Sequence, residues 1–177
     1  MSETTYYKYI SNGEHYTDVI AKIANVKHHL WIGTAEIKDL YIKSGSTTVP
    51  LLKAISRLIE HGVEVRLIHA KEPGPNFRKD FDEYPILSKR LERVLCPRVH
   101  FKMVIFDLET AYVGSANLTG AGIGMKGETN RNFEAGVLTN DPSFVEQAVN
   151  QFDSVWNGSH CKKCGRKRFC PDSPLKY

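Results

Sequence analysis

The feature that most constrains this chain is a helical run enclosed by two strand-like runs. "HLWIGTAEI" (29–37) and "VEVRLIHA" (63–70) are short apolar stretches, the second alternating with period two. Between them residues 48–61 are amphipathic at helical spacing, and Gly62 follows as a stop signal. A strand–helix–strand order favours strands that share one sheet, with the helix packed on its face. The chain therefore reads as an α/β protein: a mixed, largely parallel sheet flanked by helices.

The rest of the sequence fits this rhythm. Val19, Ile20, Ile23 and Val26 predict a helix over 16–26. "KEPGPNF" (71–77) holds two prolines and a glycine and predicts a loop, followed by a short helix near 86–94. Strands are expected at 100–107, 110–116 and 132–138, with a segment rich in glycine and hydroxyls at 114–127. A closing amphipathic helix covers 142–156. The expected division is a main α/β domain over 1–156 and a basic, cysteine-rich tail over 157–177.

Composition narrows the class. The 177 residues are 41% hydrophobic and 25% charged, as in an ordinary globular protein. The first residues show no basic stretch followed by an apolar one, and no run approaches the roughly 18 apolar residues of a membrane span. A cytoplasmic protein without a stable membrane anchor is the expectation. Net charge is +4, and from residue 160 onward six Lys or Arg face one Asp. Such a tail either binds a polyanion or simply keeps the chain solvated.

"HFKMVIFD" (100–107) is an apolar strand with an imidazole and an ammonium set into it. Strand alternation puts His100, Lys102 and Val104 on one face and Phe101, Met103 and Ile105 on the other. Asp107 is an odd number of residues from His100, which argues for a structural role rather than contact with substrate. A histidine can be nucleophile or general acid–base near neutral pH. A lysine beside it suits phosphate oxygens and the negative charge of a phosphoryl transition state. Downstream, "GSANLTG" offers the hydrogen-bonding groups of Ser115, Asn117 and Thr119, with glycines that let backbone approach closely.

The full pattern, His100-x-Lys102-x4-Asp107-x6-Gly114-Ser115-x-Asn117, resembles the signature of the phospholipase D superfamily, the HKD hydrolases. "NFEAGVL", with Glu134, resembles that family's acidic strand, and the resemblance extends over about residues 7–156. It implies that His100 attacks phosphorus to give a phosphohistidine that water hydrolyses. It implies that Lys102 and Asn117 bind the phosphoryl oxygens with help from Ser115, that Glu134 orients the imidazole, and that Asp107 supports the local fold. No metal is implied for the chemistry. In-line displacement needs a nucleophile on one side of phosphorus and a proton donor on the other. The near repeat His69-Ala70-Lys71 has Asn76 where the aspartate would stand and no Gly-Ser-x-Asn after it. One motif per chain predicts a homodimer with two His100 residues at a shared site. Short members of the family resemble dimeric nucleases. The expected function is thus an HKD-type endonuclease acting on DNA or RNA. The alternatives are a phospholipid hydrolase, or a nucleic-acid-binding module with an idle site.

The tail reads "HCKKCGRKRFC". Cys161-x2-Cys164 has the bite of a zinc knuckle, and Cys170 offers a third thiolate. Cys96, four residues before His100, is the better-placed fourth ligand, with His160 as the alternative. Structural zinc is expected, with an iron–sulfur cluster as the second choice. Lys162, Lys163, Arg166, Lys167 and Arg168 lie between the cysteines and are candidate nucleic-acid contacts.

Overall fold

A computed structural model describes residues 4–38, 40–44 and 47–172; the last five residues of the expected tail domain lie outside the described residues. The chain opens with β1 (Tyr7–Ser11), a π-helical turn (His15–Val19) running into a 3-10 helix (Ile20–Asn25), and β2 (His29–Thr34). A small hairpin of β3 (Tyr41–Ser44) and β4 (Thr47–Pro50) leads into α1 (Leu51–Glu60) and then β5 (Glu64–His69). Next come α2 (Pro75–Glu83), α3 (Pro85–Arg90), β6 (Glu92–Leu95), β7 (Lys102–Phe106), β8 (Thr110–Gly114), β9 (Ala135–Thr139) and α4 (Pro142–Trp156).

Seven strands form one sheet in the order β1-β9-β8-β7-β2-β5-β6. The sheet is mixed and carries helices on both faces. Its parallel character is smaller than the sequence suggests. Five strands (β1, β8, β2, β5 and β6) run one way, yet only β2–β5 and β5–β6 are parallel neighbours. The other four pairings are antiparallel. The cause is local: Asp107 and Leu108 turn β7 straight back into β8, so no crossover helix intervenes. This strand pattern brings the carboxyl ends of β1, β2, β5 and β8 and the amino ends of β7 and β9 to one end of the sheet. Ligands of open α/β sheets bind outside such carboxyl ends.

The two faces have different cores. Leu30, Ile32, Val65, Leu67, Val104 and Tyr112 face the irregular first helix, α1, α2 and α3. Trp31, Ile68, Met103, Ile105 and Ala111 face α4. On that side Phe152, fully buried, stacks between Trp31 at 5.1 Å and Trp156 at 5.9 Å. Arg66 lies over both indoles and pairs with Glu64, Glu92 and Asp153. Asp141 caps α4 by accepting a bond from the Phe144 N–H, and Pro142 occupies the first turn, where its missing N–H costs nothing.

Several expected elements shift. The helix expected over 16–26 forms, but as the π turn and 3-10 segment rather than a regular α-helix. The loop expected at 71–77 gives way at Pro75, which starts α2 as a favourable first-turn residue. The helix expected over 86–94 ends at Arg90, because the chain extends into edge strand β6 beside β5. β1 was not anticipated at all; it pairs with β9 through five residues. Beyond α4 the tail turns back onto the body: the Asp172 carboxylate accepts from the Leu95 N–H at 2.6 Å.

Asp107 sits at the end of β7 remote from His100. Its carboxylate accepts backbone N–H bonds from Lys27, His28 and His29, and its own N–H donates to the His29 carbonyl at 2.7 Å. Burial opposes its negative charge, but the bonds from His29, His28 and Lys27 outweigh it and hold the carboxyl below the ordinary aspartate range. A depressed folded pKa gives stability that is complete above the unfolded pKa of about 3.9 and is lost as pH falls through the folded value. Asp107→Asn keeps the shape and the tolerance for positive φ but loses the charge. Urea unfolding at pH 7 should show it about 1–2 kcal/mol less stable than wild type, the difference between charged and neutral hydrogen bonds. The gap should close as pH drops below about 4. A gap that persists unchanged in acid would show that the carboxylate charge contributes nothing.

Candidate active site

The site is built where β7 begins. His100 precedes the strand and is exposed, whereas Lys102, its first residue, is only 7% exposed. The Lys102 ammonium lies 3.2 Å from His100 Nδ1 and donates to the His100 carbonyl at 2.7 Å. Burial lowers the Lys102 pKa, while the negative charge of Glu134 works in the opposite direction. The pair thus places a shielded cation directly behind an accessible imidazole.

Asn117 follows β8 and is held from the rear. Its Oδ1 accepts from the Glu36 N–H at 3.2 Å and from the hydroxyl of Thr34, at the end of β2, at 3.4 Å. With the oxygen so engaged, the Nδ2 group remains the donor end. Thr119 is buried and its hydroxyl accepts from the Gly122 N–H, so it shapes the loop instead of facing a ligand.

Ser115 and Glu134 form a second cluster. The Ser115 hydroxyl donates to Glu134 Oε2 and accepts from the Ala135 N–H at 3.0 Å, while Asn132 donates to Glu134 Oε1 at 3.0 Å. The backbone of Glu134 is tied to Asn12, which donates its N–H to the Glu134 carbonyl at 3.0 Å. Glu134 therefore meets Ser115 and Asn132, and the bond to His100 Nδ1 comes from Lys102. The two carboxylate oxygens of Glu134 are engaged by Ser115 and Asn132, and its negative charge favours the protonated form of Lys102.

Gly114 is required by packing. A Cβ there would strike the Tyr112 hydroxyl and the Ala135 carbonyl, and one on Gly136, its partner across the ladder, would strike the Tyr112 ring. Tyr112 and His15 meet edge to face at 5.4 Å and, with Lys102, line a cavity of about 10 Å³. Among the described residues His15 Nε2 is buried there without a hydrogen-bond partner. Sequence reasoning missed Asn12, His15, Thr34 and Tyr112. Asn12, His15 and Thr34 act from elements distant in sequence, whereas Tyr112 lies within β8 itself, and only the alternating "YKYIS" of β1 hinted at the strand that carries Asn12 into place.

His69 ends β5 at the same end of the sheet but is fully buried, with Nδ1 bonded to the Lys71 carbonyl at 2.8 Å. Burial lowers its pKa. The basic tail residues Lys162, Lys163, Arg166, Lys167 and Arg168 are all exposed. Lys167 donates to the Lys162 carbonyl and Arg168 lies over Phe169 at 4.4 Å, so these two also make contacts within the tail. Among the described residues, no three His, Cys, Asp or Glu side chains stand ready as metal ligands. No helix among them is long and apolar enough to cross a membrane.

Comparison with known proteins agrees with this arrangement. Residues 19–156 match the family model described as cardiolipin synthase, PLD-like domain. No curated protein matches the chain. Among solved structures, Nuc, a phospholipase D family member from Salmonella typhimurium, superposes with a TM-score of 0.66 at 17% identity, over 87% of this chain and 95% of its own. NucT from Helicobacter pylori gives 0.64 at 15% identity, over 87% and 97%. Phosphatidylserine synthase from Haemophilus influenzae Rd KW20 gives 0.63 at 15% identity, over 81% of this chain but 35% of its own. The family match spans β2, β7 and β9 and every residue of the His100–Glu134 site. The chain belongs to the phospholipase D-like superfamily of phosphodiester-cleaving proteins.

Proposed function

We propose that this protein is a homodimeric nuclease that cleaves DNA or RNA through a phosphohistidine on His100. The observation that carries the reading is the contrast among imidazoles at the site end of the sheet. His100 is exposed beside the Lys102 ammonium, while His15 and His69 are 1% and 0% exposed. A chain of this kind offers one usable imidazole, and an in-line displacement at phosphorus needs two. A second copy supplies the other.

In the first step the unprotonated nitrogen of His100 forms the N–P bond; for Nε2 to attack, the ring proton sits on Nδ1 and the Lys102 ammonium donates to the His100 carbonyl rather than to the ring. The P–O bond to the leaving strand breaks, and the partner copy's imidazolium gives that oxygen its proton. In the second step water attacks phosphorus, the partner imidazole takes the water proton, and the N–P bond breaks. Lys102 and the Nδ2 donor of Asn117 hold the non-bridging oxygens, where charge is greatest in the transition state. Ser115 and Glu134 act behind them by fixing the loop and the field at Lys102. Asp107 supports the strand from its far end.

Size supports a polynucleotide over a lipid. This chain accounts for nearly the whole of Nuc and NucT but about a third of the phosphatidylserine synthase. The excess positive charge of the tail suits a polyanion.

A turnover assay with single- and double-stranded DNA, RNA and phosphatidylglycerol vesicles tests the assignment. Polynucleotide cleavage is expected; turnover of the vesicles alone would replace the nuclease with a lipid hydrolase. His100→Asn should lower cleavage at least ~10³-fold with unchanged circular dichroism, because it removes the nucleophile from an exposed position. Co-expressed His100→Asn and wild-type chains should give heterodimers with very low activity. Heterodimers that keep half the wild-type rate would mean that each chain works alone. Brief exposure to EDTA should leave cleavage intact without added magnesium. Immediate loss that magnesium restores would point instead to metal-assisted hydrolysis.

A further inference from the structure

On the α4 face, away from the side chain of Lys102, a cavity of about 250 Å³ lies under the tail. All four cysteines of the chain line it, although Cys96 is distant in sequence from Cys161, Cys164 and Cys170. None is in a disulfide. The phosphodiester chemistry makes no use of them, so their convergence calls for its own explanation.

Each cysteine is presented by the backbone. The Cys96 N–H donates to the His69 carbonyl at 2.9 Å, which anchors the loop after β6 to the end of β5. Cys161 and Cys164 bracket a turn closed by the Cys164 N–H on the Cys161 carbonyl at 3.1 Å. Two residues on, the Arg166 N–H points at Cys164 Sγ at 3.4 Å, an outer-shell bond of the kind that supports a metal-bound sulfur. Cys170 is 9% exposed; its thiol donates to the Leu95 carbonyl at 3.5 Å and lies within electrostatic reach of Cys96 and Cys161.

We propose that Cys96, Cys161, Cys164 and Cys170 form a structural four-thiolate site for a divalent ion of the zinc class. The four sulfurs line one cavity, and among the described residues no three ligand groups stand within coordinating distance of a common point. Binding draws them inward to Zn–S distances of about 2.3 Å and contracts the cavity. Each thiol gives up its proton on binding, and nothing is oxidised or reduced. Cys96 is the fourth ligand because Cys170 bonds the carbonyl of its neighbour Leu95, whereas His160, which also lines the cavity, is exposed next to Cys161 and competes with it for the same approach. The ion ties the tail to the segment 96–99, whose next residue is His100. Arg98, against Cys164, lies in that same segment.

The test uses the full chain, purified without chelator, and needs no catalytic assay. Elemental analysis should find about one zinc per chain. A thiol reagent should find the four cysteines masked until a strong chelator is added. Cobalt replacement should give the visible and near-ultraviolet bands of tetrahedral thiolate ligation. Cys96→Ser should weaken metal retention at least about tenfold and alter the cobalt spectrum, while His160→Ala should change neither. Should Cys96→Ser fail to fold, thiol masking and the cobalt spectrum of the wild-type chain still decide. Metal-free protein with four reactive thiols, iron with inorganic sulfide, or metal lost on His160→Ala but kept on Cys96→Ser would each overturn the proposal. Because the site is separate from the phosphodiester chemistry, its failure leaves the nuclease reading untouched, and the converse also holds.

Discussion

A lysine ammonium set into the middle strand of a seven-stranded sheet is the constraint from which the site follows. Removing a cation from water is costly unless nearby groups compensate for the lost hydration. At Lys102 the compensation comes from the His100 carbonyl, its imidazole nitrogen and the negative charge of Glu134. Those groups therefore occupy fixed positions before any substrate arrives. A phosphate oxygen entering the site meets a cation that is already oriented and poorly hydrated, where electrostatic attraction is stronger than in bulk water.

Such a charge can be held in place only if its strand cannot slide. β7 is pinned at both ends. At one end Lys102 and Met103 are paired with Gly114 of β8 and Gly33 of β2; at the other the Asp107 carboxylate gathers three backbone N–H groups from the segment entering β2. A slip of one residue would put Met103 where Lys102 stands and turn the apolar side chains of β7 to the wrong cores. The price of the tight return into β8 is visible at Leu108, which adopts φ 58° although an exposed leucine gains nothing from it. Asp107 at φ 53° tolerates this conformation better, and its hydrogen bonds hold the turn that Leu108 must follow.

The sequence made this strand legible because its chemistry is local. His100 and Lys102 share a face by period-two alternation, and the odd offset of Asp107 already removed it from that face. The spacing to Gly114, Ser115 and Asn117 was equally readable, since β7 and β8 are joined by a direct turn. What could not be read depends on distant pairing. Nothing near Glu134 indicates that Ser115 and Asn132 would take its two carboxylate oxygens. Nothing near Asn117 indicates Thr34 as its support. The strand-helix-strand rhythm of 29–70 was correct for β2 and β5, but it was extended too far: the three-residue turn 107–109 after β7 makes its pairing with β8 antiparallel. Pro75 illustrates the other kind of miss, since proline breaks a helix from within and favours one at its first turn.

The sheet divides labour between its faces, which determines how any change in the tail can reach the chemistry. Lys102 looks toward the cavity with His15 and Tyr112; Phe101 and Met103, the residues on either side of it, look toward α4. On that second face Arg66 lies over Trp31 and Trp156 and pairs with Asp153, so the last turn of α4 is clamped to β2 and β5 just before the tail begins. A displacement of the tail is thus resisted at Trp156 and does not pass through the sheet. The route left open is the covalent one along 96–100, where Cys96 hangs from β5, Val99 is buried in the α4-side core and His100 emerges into solvent. Val99 acts as the stop on that route. Its burial, together with its N–H bond to the Cys96 carbonyl at 3.0 Å, makes the segment a closed turn rather than a free tether. Movement at the tail is accordingly held at Val99, and Lys102, the first ladder position of β7, stays in register.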